Sequence, residues 1–272
     1  MTRTVPQIRF ASTRLATGVN LHYAEQGTLG AEPILFLHGW PDSWYSYSRI
    51  LELLAPGEFH TFTVDQRGFG DSDRPDRGYA IDDYAADAVA FLDAVGVDQA
   101  TVVGHSFGSF VARRVAQIAP RRVRRLALIG SAVSTVNAVM LEVRDIVQNL
   151  HGCVSPEFAR EFAASTLYAP VPEAFFERIV AECLKAPATT WQRSWDGILA
   201  FDDTGELGRV SAPTVIIWGE HDALFTRDDQ AGLVHAIPDA QLLVYPDAGH
   251  CPNWECPERV AADLAAFVGG DG

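Results

Sequence analysis

The stretch "VVGHSFGS", residues 102–109, decides how the rest of the chain is read. Thr101, Val102 and Val103 form the apolar, β-branched run that a buried strand needs, and Phe110, Val111 and Ala112 open a helical pattern. Between them the chain turns within a few residues, and Gly104, Ser106 and Gly108 occupy that turn as G-x-S-x-G. Two glycines around one serine imply that strand and helix pass too close for side chains. Ser106 is then held in a strained backbone conformation, with its hydroxyl at the positive end of the helix dipole, where a developing anion is favoured. A strand–turn–helix of this composition displays a nucleophile.

Outward from this turn, apolar strand-like runs alternate with helix-period segments, the pattern of an α/β fold with a mostly parallel sheet covered on both faces. The expected strands are 33–39, 60–66, 100–106, 124–132, 214–222 and 240–249, preceded by an antiparallel edge pair, "QIRFAST" and "GVNLHYAEQG", for about eight in all. Residues 81–96 carry a helical stripe of Tyr84, Val89, Phe91, Leu92 and Val95, stopped by Gly96. The alternation breaks once, where residues 135–208 offer only helix-like pieces. Such an insertion should project over the carboxyl ends of the strands, where open α/β sheets bind ligands. The expected organisation is a core of residues 1–134 and 209–272 with a helical cap over 135–208.

A serine hydroxyl attacks poorly until a base takes its proton and a further group orients that base. Of the eight histidines, His250 ends the last expected strand in "YPDAGHCPNWECPE", where a loop can carry it over the sheet edge. Asp222 ends "TVIIWGEHD" and is the expected orienting acid; Glu220 competes but falls in the turn immediately after Trp218.

Bulk properties narrow the function classes. With 35 acidic against 21 basic residues the formal net charge is −14, which repels phosphate backbones and anionic membrane surfaces, so neither nucleic acid nor membrane is expected as a partner. The chain has no apolar run of membrane-spanning length and begins without a signal-peptide core, pointing to a cytoplasmic location. Cys153, Cys183, Cys251 and Cys256 lack paired spacing and are read as free thiols. In "DQRGFGDSD" no Lys completes a phosphate loop and the spacing is wrong for calcium, so no metal or cofactor is expected. The segment is read as structural, with Asp65, Arg67 and Asp71 pairing among themselves.

These motifs together, "HGWPDSW", "DQRGFGDSDRP", "GHSFGS", "WGEHD" and "AGHCPNWECPE", resemble the α/β-hydrolases, in the capped group that includes epoxide hydrolases, haloalkane dehalogenases, small esterases and lactonases. The likeness covers nearly the whole chain, and the order Ser106, Asp222, His250 is the family's order. It implies an oxyanion hole from the backbone amides of Trp40 and Phe107, and by analogy a cis Trp40-Pro41 bond. Epoxide hydrolases and haloalkane dehalogenases carry aspartate at the elbow, whereas this chain has Ser106, which directs the chemistry to acyl transfer. The resemblance then implies a serine hydrolase of small, mostly apolar esters or lactones, acyl-homoserine lactones among them. A carbon–carbon bond hydrolase, an aminopeptidase, a cofactor-free perhydrolase and a non-catalytic ligand receptor stay open, as does a homodimer. Asp42 and Trp44 face either the pocket or solvent. Phe175, Phe176, Trp191, Trp195 and Phe201 are read as helix packing within the cap.

Overall fold

The computed structural model describes residues 7–54 and 57–270. Its strands are β1 (Arg9–Arg14), β2 (Asn20–Gly27), β3 (Glu32–Leu37), β4 (Phe59–Val64), β5 (Ala100–His105), β6 (Val123–Ile129), β7 (Thr214–Gly219) and β8 (Ala240–Tyr245). They form one eight-stranded sheet in the order β1-β2-β4-β3-β5-β6-β7-β8. The β1–β2 and β2–β4 pairs are antiparallel and every other neighbouring pair is parallel. The mostly parallel α/β sheet with an antiparallel edge is thus the one implied by the alternation of apolar runs.

Helices α1 (Ser48–Leu51), α2 (Ile81–Ala94) and α3 (Phe107–Ile118) belong to the first half of the chain. Helices α4 (Ala138–Gln148), α5 (Pro156–Ser165), α6 (Glu173–Cys183) and α7 (Ala188–Leu199) follow one another between β6 and β7 with no strand between them. Helices α8 (Arg227–Ala236), α9 (Pro252–Glu255) and α10 (Pro257–Gly269) complete the fold. Local chemistry starts several of these. The Asn137 side chain accepts from the Met140 amide ahead of α4, the Ser155 hydroxyl does the same for Phe158 ahead of α5, and proline opens α5, α9 and α10. None of the helices is long and apolar enough to cross a membrane among the described residues.

Strand alternation sends the core to both faces of the sheet. Leu35, Leu37, Leu126, Leu128 and Ile216 pack on one face, and Ile34, Phe36, Ala127, Ile129, Val215 and Ile217 on the other. The central strands are buried throughout, which is why they read as unbroken apolar runs. Several expected strands overran the observed ones at the carboxyl end, 214–222 against Thr214–Gly219 for example. Those last residues leave the sheet to build loops above it, and the polar groups of the site stand there.

The departure and return of the helical segment are tied together. Arg113, fully buried on α3, pairs with Asp203 at 2.5 Å and donates to the carbonyl of Ala132, while Thr135 Oγ1 donates to the Phe201 carbonyl at 2.9 Å. A buried pair of this kind is costly to break one-sidedly, so the two ends are held in register over the sheet.

Candidate active site

The elbow has the geometry its composition demands. Ser106 is the one non-glycine residue with positive φ among the described residues (φ 50°, ψ −119°). A β-carbon on Gly104 would lie 2.1 Å from the Gly108 carbonyl oxygen, and one on Gly108 would lie 2.1 Å from that of Leu37. The amino end of α3 is therefore pressed onto the ends of β5 and β3, and only glycine permits it. The Ser106 amide donates to the Ile129 carbonyl at 2.8 Å, and its carbonyl accepts from the Ser109 amide and hydroxyl. These bonds hold the strained residue in place.

Ser106, His250 and Asp222, taken from three loops, meet in one hydrogen-bonded line. Ser106 Oγ lies 2.8 Å from His250 Nε2, and His250 Nδ1 lies 2.9 Å from Asp222 Oδ2. Asp222 accepts a hydrogen bond from Nδ1–H, which keeps the proton on Nδ1 and leaves Nε2 free to accept from the serine. Asp222 Oδ1 in turn accepts from the Leu224 and Phe225 amides at 2.8 and 3.1 Å, which aims the carboxylate. Glu220, the competing acid, points outward and pairs with Arg227.

Glu255 supports the His250 loop in a way not foreseen from the sequence. Its carboxylate accepts from the amides of Gly249 and Cys251, one on each side of His250, and from those of Tyr168 and Ala169 in the helical segment. The His250 amide also donates to the Thr166 carbonyl at 3.0 Å. The loop carrying His250 is thereby fastened to the loop after α5. The clue was present in "HCPNWE", five residues after His250, but nothing in the spacing says which amides it gathers.

Trp40 and Phe107 both line the cavity above Ser106. Among the described residues, neither backbone amide donates to a protein acceptor, which leaves both available to a substrate oxygen. The Trp40 ring fixes its loop: Nε1 donates to Ser194 Oγ at 2.7 Å, and the indole packs edge-on against Trp191 and Trp195. The Trp40-Pro41 bond is cis.

The cavity above Ser106 has a largely apolar wall. Phe107 and Phe110 contribute from the elbow, and Met140, Phe162, Trp195 and Ile198 from the helices between β6 and β7. Met140, Phe162 and Ile198 carry no signal beyond an apolar helical stripe. Trp195 corrects an expectation, because it lines the cavity as well as packing within its helix. Phe175, Phe176, Trp191 and Phe201 do not reach the cavity; Trp191 lies fully buried against Trp40.

Asp42 and Trp44 part company. Asp42 lines the cavity, buried, with the Cys183 thiol 3.8 Å from Oδ1 as its one side-chain hydrogen-bond partner among the described residues. Burial, reinforced by the nearby Glu182, pushes its carboxyl well above the usual carboxylate range. Trp44 packs instead against Phe10 and Tyr45 on the other side of its loop, because the 3-10 turn at Trp44–Tyr47 swings its ring away from the cavity.

The segment 65–73 also departs from expectation. Asp65, Arg67 and Asp71 do not pair among themselves: Arg67 binds Asp87, Asp71 binds Lys185 at 2.7 Å, and Asp65 accepts from His22 and from the amides of Trp44 and Asp71. The two carboxylates are met by His22 and Lys185 from other elements and by the amides of Trp44 and Asp71 rather than by Arg67. The ligand-capable atoms of His22, Asp65 and Asp71 lie within 4.8 Å of one another, but these bonds already occupy the oxygens of Asp65. All four cysteines are free.

Comparison with known proteins agrees with this fold. The family described as "alpha/beta hydrolase fold" matches residues 32–257. The chain is 31% identical to a non-heme chloroperoxidase of Streptomyces lividans, over 92% of this chain and 96% of the relative. It is 29% identical to a bifunctional esterase/perhydrolase of Acinetobacter calcoaceticus, with the same coverage. An esterase from Exiguobacterium antarcticum superposes with a TM-score of 0.85 at 20% identity, covering 96% of this chain and 100% of the other, which speaks to the fold alone. The chain belongs to the α/β-hydrolase fold family.

Proposed function

We propose that this protein is a serine hydrolase of small, mostly apolar carboxylic esters or lactones, with Ser106 as nucleophile, His250 as general base and Asp222 as its orienting acid. The observation that carries this is the continuous contact from Ser106 Oγ through the His250 ring to Asp222 at the floor of an apolar cavity. The helices of 135–208 serve as its cap, excluding water from the reacting groups.

Ser106 loses its proton to His250 Nε2 as its oxygen bonds to the substrate carbonyl carbon. The carbonyl oxygen becomes an oxyanion, held by the Trp40 and Phe107 amides at the amino end of α3. Asp222 stabilises the imidazolium without taking its proton. Collapse expels the alcohol, protonated by His250, and leaves the acyl group on Ser106. Water then attacks, gives its proton to His250, and the carboxylic acid departs with Ser106 restored.

The same acyl enzyme, met by hydrogen peroxide instead of water, would release a peracid, and the similarity to a bifunctional esterase/perhydrolase favours this as a second activity of the site. The deciding experiment is hydrolysis of p-nitrophenyl acetate and butyrate by wild type and Ser106→Ala. The variant should lose at least roughly 10³-fold in kcat with its melting temperature retained. Turnover within tenfold of wild type would exclude Ser106 as the nucleophile.

A further inference from the structure

The stretch "LIGSA" at the end of β6, residues 128–132, carries none of the reacting groups, yet it reaches the nucleophile through two hydroxyls. Ser109 Oγ lies 2.5 Å from the Ser106 carbonyl oxygen and 2.8 Å from Ser131 Oγ. Both serines are fully buried. A hydroxyl has one proton and a carbonyl oxygen can only accept, so Ser109 donates to Ser106 and the second contact is donated by Ser131. The hydroxyls therefore run in one direction, from Ser131 through Ser109 to the Ser106 carbonyl. Ser131 is fixed in turn, since its own carbonyl accepts from Nε2 of Gln230, fully buried on α8, at 2.8 Å.

This relay fixes a peptide plane. The Ser106 carbonyl and the Phe107 amide belong to one planar unit and point in opposite directions, so holding the first aims the second. The plane is under load, because Ser106 sits at φ 50° and ψ −119°, a region sparsely populated by residues other than glycine. Relief by rotation about the flanking bonds would swing the Phe107 N–H as well. The Ser109 amide gives the Ser106 carbonyl one bond at 2.8 Å, and the Ser109 hydroxyl supplies the second. A carbonyl with both lone pairs engaged resists that rotation, and hydroxyls donating in series strengthen one another. The direction of the Phe107 N–H matters most once a substrate carbonyl has become an oxyanion.

We propose that Ser109 and Ser131 are positioning residues that aim the Phe107 amide at the oxyanion, stabilising the transition state and leaving substrate binding unchanged. This rests on the serine-hydrolase reading, in which Ser106 attacks and the Phe107 amide is one of two oxyanion donors. Both serines lie behind the elbow, outside the residues that line the cavity, and act through Ser106 and Phe107.

The test measures p-nitrophenyl acetate hydrolysis by Ser109→Ala, Ser131→Ala and the double variant, beside the inhibition constant of an alkyl trifluoromethyl ketone. The ketone adds to Ser106 as a hemiketal whose oxyanion needs the same donors, so it reads the hole without turnover. Losing an oxyanion donor costs about 10²- to 10³-fold, and one kept but loosely aimed should cost about tenfold. Ser109→Ala should lower kcat/KM by about that factor through kcat, weaken the ketone equally, and keep KM within about twofold. Ser131→Ala should lower kcat/KM about threefold alone and not at all in the Ser109→Ala background, because it acts only through Ser109. A lower melting temperature with kinetic constants unmoved shows a packing role and overturns the proposal. So does unchanged ketone binding in Ser109→Ala, or a Ser131→Ala loss that persists when Ser109 is already alanine. Should Ser109→Ala not fold, unchanged kcat/KM in Ser131→Ala is decisive against the relay. The serine reading is checked apart from this: the ketone should fail to bind Ser106→Ala, and a wild type that neither hydrolyses the ester nor binds the ketone sinks that reading and this one together.

Discussion

Gly108→Ala puts the elbow under a defined load. The added β-carbon would sit 2.1 Å from the Leu37 carbonyl oxygen and 2.6 Å from that of His38, both backbone atoms at the end of β3. Relief requires the start of α3 to withdraw from β3 by about 1 Å, since flexible side chains cannot absorb the clash. Two opposing effects bear on stability. Alanine in a helix gains about 1 kcal/mol over glycine, and overpacking costs about 1–3 kcal/mol, so the net loss is at most about 2 kcal/mol. At roughly 2–4 °C per kcal/mol for a chain of this size, the melting temperature should fall by less than about 8 °C. Activity should suffer far more. The withdrawal carries Ser106 away from His250 and the Phe107 amide away from the Trp40 amide, and a 1 Å misplacement of reacting groups costs about 10²-fold. The assay is p-nitrophenyl acetate hydrolysis at 25 °C beside a thermal melt. A variant with wild-type melting and kcat/KM within threefold of wild type would refute the argument that glycine is needed there for close approach.

Two further perturbations address the support of the site. Glu255→Gln leaves one side of the gathered amides facing an NH₂ group, and each buried donor so stranded costs about 1–3 kcal/mol. It should lower kcat about tenfold with KM little changed, and an unaltered kcat would show that His250 is positioned without it. His22 has its pKa raised from 6.5, chiefly by its hydrogen bond to Asp65 and by the Asp65 and Asp71 charges, against burial and Lys185. The sign follows from linkage: a raised histidine stabilises the fold fully below its unfolded pKa and loses that contribution as pH rises through the folded one. His22→Gln should therefore lower the melting temperature more at about pH 6 than at about pH 9; a gap independent of pH would place the contribution in packing instead.

Much of this protein was decided by order along the chain. The apolar runs ending in Gly104 and Trp218 read as buried strands because they are buried on both faces, and "GHSFG" read as a turn because its glycines permit the approach of α3 to β3 and β5. The meeting of Ser106, Asp222 and His250 was legible for a related reason: each follows the carboxyl end of a parallel strand, and those ends share one edge of the sheet. Contacts between elements distant in sequence were not legible. Arg67 finds Asp87, Asp65 finds His22, and Glu255 gathers amides from two loops, because partner choice among charges depends on which surfaces the fold brings together. The lining of the cavity belongs to this second class. A helical stripe announces that Met140 or Trp195 is buried, but which wall it faces is set by how α4 and α7 lie over the sheet. The turn that separates Asp42 from Trp44 by two positions and opposite directions is a decision of tertiary packing.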